Sequence, residues 1–330
     1  MDVLGLDIGG ANLKAAHSNG QALSLPFALW KAPALLPEAL DRLLYKMPPA
    51  EAWAVTMTGE LCDCFESRRQ GVLTILEAVT MLAGSRPVYV WRNDGCFVDV
   101  ATARTTPLQV ASANWLALAT FAGRYATKGP GLLIDIGSTT TDIVPLVDGW
   151  PQPLGRTDRE RLECSELVYT GVRRTPLCAL LITCDDVAEV FATTLDAYLL
   201  LGYIPEDATD TNTADGRPAT KAYAEARLAR QLCADLETST AEERRRLAEA
   251  VLRHQKMVLG VNINVVARSL PGLPQTVVFA GEGEFLIRLA LQAQQGIPPC
   301  RVVSLSRQLG PAISRSACAF AVAMLAAERR

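Results

Sequence analysis

Histidine is nearly absent from this sequence: His17 and His254 are the only two in 330 residues. That sets aside chemistry built on imidazole pairs, whether a histidine-ligated metal or a nucleophile–histidine relay, and turns attention to carboxylates. Long apolar runs are missing too. Trp115 to Ala122 is among the longest, well short of the roughly 20 residues a membrane-spanning helix needs. No charge of either sign dominates: the net charge is −3 and the basic residues are scattered, so nothing suggests a nucleic-acid partner. The densest cluster, Glu243-Arg244-Arg245-Arg246, reads as the solvated face of a helix. Nine cysteines sit at irregular spacings, and Cys62-x-Cys64 lacks a second pair that would complete a zinc site. Reduced thiols are therefore expected. No secretory signal precedes the first motif, which points to a cytoplasmic protein without a membrane partner.

What is present is a globule-forming composition, 49% hydrophobic and 20% charged, in a chain long enough for two ordinary domains. The organising stretch is Leu4 to Ala16. An apolar run delivers Asp7 to a strand end, Ile8-Gly9-Gly10 permits a tight turn, and Asn12 to Ala16 leads out as a second strand. Adjacent glycines let a ligand approach backbone N–H groups. An acid before the turn and Lys14 beyond it suit a metal-phosphate, the acid toward Mg²⁺ and the lysine toward phosphate oxygens. Alone this would also describe a plain hairpin. A second copy, Leu132 to Val144, decides the matter: the strand ends in Asp135, Gly137 follows, then Ser138, Thr139 and Thr140, then a strand carrying Asp142. Two such hairpins imply a duplicated α/β domain with two phosphate loops facing across a cleft.

Periodicity along the first half predicts a third strand within Gly20–Leu29, a helix over Pro37–Lys46 and a strand over Ala52–Met57. A helix over Arg68–Leu82 and a strand over Pro87–Trp91 follow. Ligands of such sheets sit at strand ends, which places Thr56, Thr58 and Glu60 on a cleft-facing loop or, alternatively, in a strand-to-helix cap. Asn114 and Trp115 open a helix to about Tyr125, facing either the cleft or a packed neighbour. Lys128-Gly129-Pro130-Gly131 breaks the chain and divides it into domains 1–128 and 129–330.

In the second half, Arg173 and Arg174 lie on a loop, suited either to gripping an anion through paired guanidinium bonds or to surface salt bridges. Helices are expected over Asp186–Leu201, Lys221–Leu236 and Ala241–Leu259, the last continuing from Gly260 to Leu270. They form a helical insertion at about 156–259. A strand at Thr276–Phe279 enters a glycine turn at 280–284, before a helix over Phe285–Gln294 and a strand over Arg301–Leu305. An alanine-rich helix, Ser314–Ala327, either closes the second domain, the preferred reading, or makes a homodimer contact.

The paired hairpins and the late glycine turn resemble the actin/hexokinase ATPase superfamily, which implies duplicated RNase H-like domains around a cleft. Val277 to Phe285 stands where that superfamily places its adenosine-binding motif. Six phrases go further: Gly9 to Lys14, Met57 to Leu61, Ala113 to Trp115, Asp135 to Asp142, Tyr169 to Pro176 and Thr213 to Pro218. Together they make the sequence similar to hydantoinase/oxoprolinase-related proteins of tetrahydromethanopterin-linked one-carbon metabolism, from Val3 to at least Gly283.

That resemblance implies a transferase of methanofuran- or methylofuran-type cofactor biosynthesis. It would join an aminomethyl-furanmethyl diphosphate to a tyrosine- or tyramine-derived phenol, forming an aryl ether and releasing pyrophosphate. Asp7 and Asp135 would bind Mg²⁺, while Gly9, Gly10, Asn12, Lys14, Gly137, Ser138, Thr139 and Thr140 hold the diphosphate. Asp142 or Glu60 would take the phenol proton. Thr58, Asn114, Arg173, Arg174, Gly281, Glu282 and Gly283 would hold the substrates. Two alternatives stand beside it: an ATP-dependent small-molecule kinase or amide hydrolase, and a nucleotide-binding regulatory or assembly protein. The chain is much shorter than the large hydantoinase subunits, and Glu282 and Glu284 put acids where an adenine pocket favours neutral residues. Both features count against ATP-driven ring opening.

Overall fold

The computed structural model describes residues 1–180, 187–292 and 300–329. Among these residues, two sheets carry the architecture. The first contains β1 (Val3–Ile8), β2 (Asn12–His17), β3 (Ala22–Pro26), β4 (Ala52–Met57), β5 (Val88–Trp91) and β6 (Phe97–Val98), ordered β3-β2-β1-β4-β5-β6. The second contains β7 (Pro130–Ile136), β8 (Thr141–Val147), β9 (Trp150–Pro151), β10 (Leu167–Val168), β11 (Thr276–Ala280) and β12 (Arg301–Ser304), ordered β10-β8-β7-β11-β12 with β9 beside β8. The same plan appears twice. β1 pairs antiparallel with β2 and parallel with β4, and β7 pairs antiparallel with β8 and parallel with β11.

Side-chain alternation sorts each strand between two cores. Leu4, Leu6 and Ile8 of β1 face outward under the helices Leu36–Leu44 and Arg68–Ala83. Leu132, Ile134 and Ile136 of β7 do the same beneath the helices Thr194–Leu201, Ala241–Arg268 and Glu284–Gln292. The opposite faces, including Val3, Ala16 and Ala54 on one sheet and Leu133, Val144 and Val278 on the other, share a central core with the helices Asn114–Ala122 and Ala317–Ala327. Both middle helices are apolar nearly all round, as a helix buried between two sheets must be.

The helix Ala317–Ala327 corrects an expectation. It packs along β1, β2 and β4 of the first sheet rather than closing the second. Gly5 makes this approach possible: a Cβ there would lie 1.9 Å from the Ala319 carbonyl oxygen. Two helix boundaries also differ. The helix expected from Asp186 starts at Thr194, where Thr193 N–H donates to Asp196 Oδ2 at 2.9 Å; residue 186 itself lies outside the described residues. Lys221–Gln231 ends earlier than expected, whereas Ala241–Arg268 is one unbroken helix, as the expected continuation from Gly260 requires. The helix at Glu284 is described to Gln292, so the expected residues 293–294 lie outside the description. Among the described residues, no helix is long and apolar enough to cross a membrane.

Candidate active site

The two hairpin turns close with the same bond. Gly9 N–H donates to the Asn12 carbonyl at 3.0 Å, and Gly137 N–H donates to the Thr140 carbonyl at 2.9 Å. Neither Gly10 and Ala11 in one turn nor Ser138 and Thr139 in the other donates a backbone N–H to a protein acceptor among the described residues. Those groups are available to an anion. Strand register then sets the acids. Asp7 lies opposite Lys14 and beside Thr56, and Asp135 lies opposite Asp142. Asp7 shares its face of β1 with Val3, and Asp135 its face of β7 with Leu133, so both acids point into the central layer between the sheets.

Electrostatics shows that the two sets meet. Burial raises the Asp7 carboxyl above the ordinary aspartate range; Lys14 opposes the shift and Asp142 adds to it. Asp135 is pushed up to about 7 by burial, with Asp142, Asp7 and Glu284 adding repulsion and Lys14 relieving part of it. Burial works against the Lys14 ammonium, but the surrounding negative charge, Asp7 foremost, outweighs it and raises its pKa. Lys14 Nζ lies 3.7 Å from Asp7 Oδ2, and Asp7 Oδ1 is buried without a hydrogen-bond partner. The closing helix reaches the same place. Cys318, in its first turn, is buried and raised well above an ordinary thiol, first by burial and then by Asp7 and Asp135. A helix N-terminus here adds positive potential to an acid-rich centre.

Asp142 is not free. Arg161 Nη1 donates to its Oδ1 at 2.8 Å, and the same guanidinium lies 3.9 Å over the Trp115 ring. Arg161 is only 1% exposed and also donates to the Glu166 carbonyl at 2.9 Å. Neither Arg161 nor its helix, Asp158–Glu163, figured in the sequence reading. The available signal was the Thr157…Glu160 capping box, which the structure forms in full.

Glu60 is fully buried and pushed up to about 7 by burial, against the hydrogen bond from Ser112. Ser112 Oγ donates to its Oε1 at 2.7 Å, while Oε2 has no partner. Thr58 follows β4, with its N–H on the Ile8 carbonyl and its hydroxyl facing Gly9. Asn114 accepts from its neighbour Trp115 N–H at 2.8 Å. Burial raises the Cys62 thiol to about 11, so it is an unreactive group against Gly10.

The loop carrying the arginines docks on the second turn. Val172 N–H reaches the Gly137 carbonyl, and Arg173 and Arg174 N–H both reach that of Ser138. Gln255 pins the loop from the long helix by donating to Thr170 Oγ1 at 2.7 Å and to the Gly171 carbonyl at 3.0 Å. Arg173 binds Glu282 at 2.8 Å and also Asp210. Arg174 lies 4.7 Å over the Trp30 ring, which joins this loop to the first half of the chain. Arg68 and Asp158 make a second such contact. The glycine turn presses on the acid centre: Gly281 has φ +83°, and a Cβ there would meet Asp135 Oδ1 at 2.4 Å. Both acids of that turn are occupied, Glu282 by Arg173 and Glu284 by Ser304, Ser306 and Ser314.

Comparison with known proteins agrees with this plan. A family model described as hydantoinase/oxoprolinase matches residues 51–329. A Methanocaldococcus jannaschii protein named (4-{4-[2-(gamma-L-glutamylamino)ethyl]phenoxymethyl}furan-2-yl)methanamine synthase is 32% identical over 98% of this chain and 97% of its own. A protein of the same name from Methanococcus vannielii is 33% identical over 59% of this chain and 89% of its own. Among solved structures, a nucleotide-free acetone carboxylase superposes with a TM-score of 0.52 at 11% identity, over 97% of this chain and 70% of that one. The fold, a duplicated α/β plan, is shared with that structure.

Proposed function

The chain belongs to the hydantoinase/oxoprolinase family, and within it we propose that the cleft condenses an aminomethyl-furanmethyl diphosphate with a tyrosine- or tyramine-derived phenol, in methanofuran- or methylofuran-type cofactor biosynthesis. The relatives' name describes a furan joined to a phenol through a phenoxymethyl ether, the bond such a condensation makes. One observation carries the reading to this chain's residues: two matched turns with available N–H groups, and acids from both sheets pointed into one buried centre.

The donor set fits a divalent cation. Asp7 keeps a buried oxygen without a partner, and Asp135 is pushed up to about 7 by burial, with neighbouring acids adding to it. Among the described residues no cluster of three side chains is arranged to hold a metal. Mg²⁺ needs only one or two carboxylates when substrate phosphates and water complete its shell. Asp7 and Asp135 would hold the ion, which when bound neutralises diphosphate charge.

The protein's own groups do the rest. The turn N–H groups and Lys14 bind the diphosphate and stabilise it as the leaving group. The methylene–oxygen bond to the diphosphate breaks with its electron pair leaving on pyrophosphate, while the furan oxygen delocalises the positive charge left on carbon. The phenol oxygen bonds to that carbon and gives up its proton. Glu60, with a pKa of about 7 and an unpartnered oxygen, suits the acceptor role better than Asp142, which Arg161 already holds.

The test is turnover with a furanmethyl diphosphate bearing ¹⁸O at the bridging position. Label in pyrophosphate and none in the ether supports the reading; ether formation that requires ATP overturns it. The second reading is ATP-dependent phosphoryl or amide chemistry. It gains from one observation: Glu282 is paired with Arg173, so one of the two acids of the glycine turn is offset by a cation and the turn is less hostile to a nucleotide than its sequence suggests.

A further inference from the structure

The helical region over the second sheet holds a pocket that the cleft chemistry does not use. Arg217, Arg227 and Arg230 line a cavity of about 330 Å³, with Asp215 on one wall and Val190 and Phe191 as its apolar side. That volume lies at the small end of ligand pockets, enough for a compact metabolite or one end of a longer one.

Arg227 is the informative residue. It is wholly buried, with Nε on Asp196 at 2.7 Å and Nη1 on Asp215 at 2.8 Å. Its Nη2 is buried as well and has no acceptor. Folded proteins rarely leave a buried charged donor without a partner. Arg230 reaches only the Ala226 carbonyl of its own helix, at 3.4 Å, and Arg217 lies 5.8 Å over the Tyr223 ring. Among the described residues, three guanidiniums thus face two carboxylates, Asp196 and Asp215, which leaves one positive charge in excess. Asp215 is held in place by the Arg217 N–H at 3.1 Å and remains 28% exposed.

We propose that this pocket binds an α-amino-acid head group, with the carboxylate on Arg227 Nη2 and the flanking Arg217 and Arg230, and the ammonium on Asp215. Phosphate would satisfy the arginines but set a second anion against Asp215. A simple carboxylate would leave Asp215 with nothing to gain. A zwitterion meets both signs at once, its carboxylate on the surplus guanidinium and its ammonium on the exposed part of Asp215. The head group comes from one of two sources, a free amino acid or the glutamyl end of a γ-glutamylated substrate; the relatives' named product carries such an end. Asp196, the buried partner of Arg227, also caps the helix whose Leu195 N–H meets the Arg173 carbonyl. Occupancy is thereby linked to the loop that docks on the second phosphate turn.

The experiment is calorimetric titration of the full chain with L-glutamate, γ-glutamyltyramine, succinate and inorganic phosphate, repeated on Arg217→Ala, Arg230→Ala and Asp215→Asn. At least one amino-acid probe should bind at least ten-fold tighter than succinate or phosphate, and each variant should weaken it at least ten-fold. Binding of both amino-acid probes identifies a free amino acid as the source; binding of γ-glutamyltyramine alone identifies the substrate's tail. Absence of binding by either, affinity unchanged in all three variants, or phosphate binding that is tighter and that the same variants weaken would overturn the proposal. Because γ-glutamyltyramine and phosphate also have sites in the proposed cleft, only binding that Arg217→Ala, Arg230→Ala and Asp215→Asn weaken is counted for this pocket, and an inactive cleft would not imitate its failure.

Discussion

Replacing Asp135 with asparagine should stabilise the protein, although Asp135 lies at the centre of the proposed chemistry. Folding moves its carboxyl from 3.8 to about 7. A shift of about 3 units corresponds to roughly 4 kcal/mol, and the partial exposure of Asp135 reduces that to about 2 kcal/mol. The sign follows from proton binding. Between pH 4 and 7 the folded chain keeps the proton that the unfolded chain has lost, so stability falls as pH rises and levels off above the folded pKa. Asparagine cannot ionise and avoids this loss. The variant should match the wild type near pH 4 and exceed it by about 2 kcal/mol at pH 8, or about 3 °C for a chain of this size. Thermal denaturation at both pH values, without divalent cation, measures the difference. A variant less stable than wild type at pH 8, or a gap independent of pH, would refute the idea that this centre stores like-charge repulsion.

Other substitutions test neighbouring parts of the account. Arg161→Met strands the buried Asp142 carboxylate and should cost about 3–5 kcal/mol in urea denaturation at pH 8. Adding Asp142→Asn should recover most of that loss, and strictly additive effects would contradict the pairing. Glu60→Gln should lower turnover at least about 100-fold and abolish a pH-rate limb near 7; a retained limb would move the base elsewhere. Gly281→Ala places a Cβ against Asp135 and forces a side chain to φ +83°. Pyrophosphate affinity should fall at least about ten-fold, and unchanged affinity would separate the glycine turn from the phosphate centre.

What was readable in advance followed how local each feature is. Both hairpins were legible because strand alternation, an acid at the strand end and glycine in the turn are all set within a dozen residues. The strands Ala52–Met57 and Thr276–Ala280 were legible for the same reason. The last helix was misassigned because a segment apolar on every face carries no direction; its place on β1 depends on Gly5, more than 300 residues earlier. Arg161 went unnoticed because arginine ordinarily stays at the surface, and nothing local shows that Trp115 and Asp142 enclose it. Arg173 and Arg174 were placed on their loop, but their partners Asp210, Glu282 and Trp30 are remote in sequence.

The central claim is that the cleft is built for a departing diphosphate. Calorimetric titration with Mg²⁺-pyrophosphate and then Mg²⁺-ATP, on wild type and Asp135→Ala, tests it most directly. The account predicts that pyrophosphate binds at least as tightly as ATP and that the substitution abolishes its binding. Tight ATP binding with little affinity for pyrophosphate would contradict it and make a phosphoryl acceptor the substrate to find.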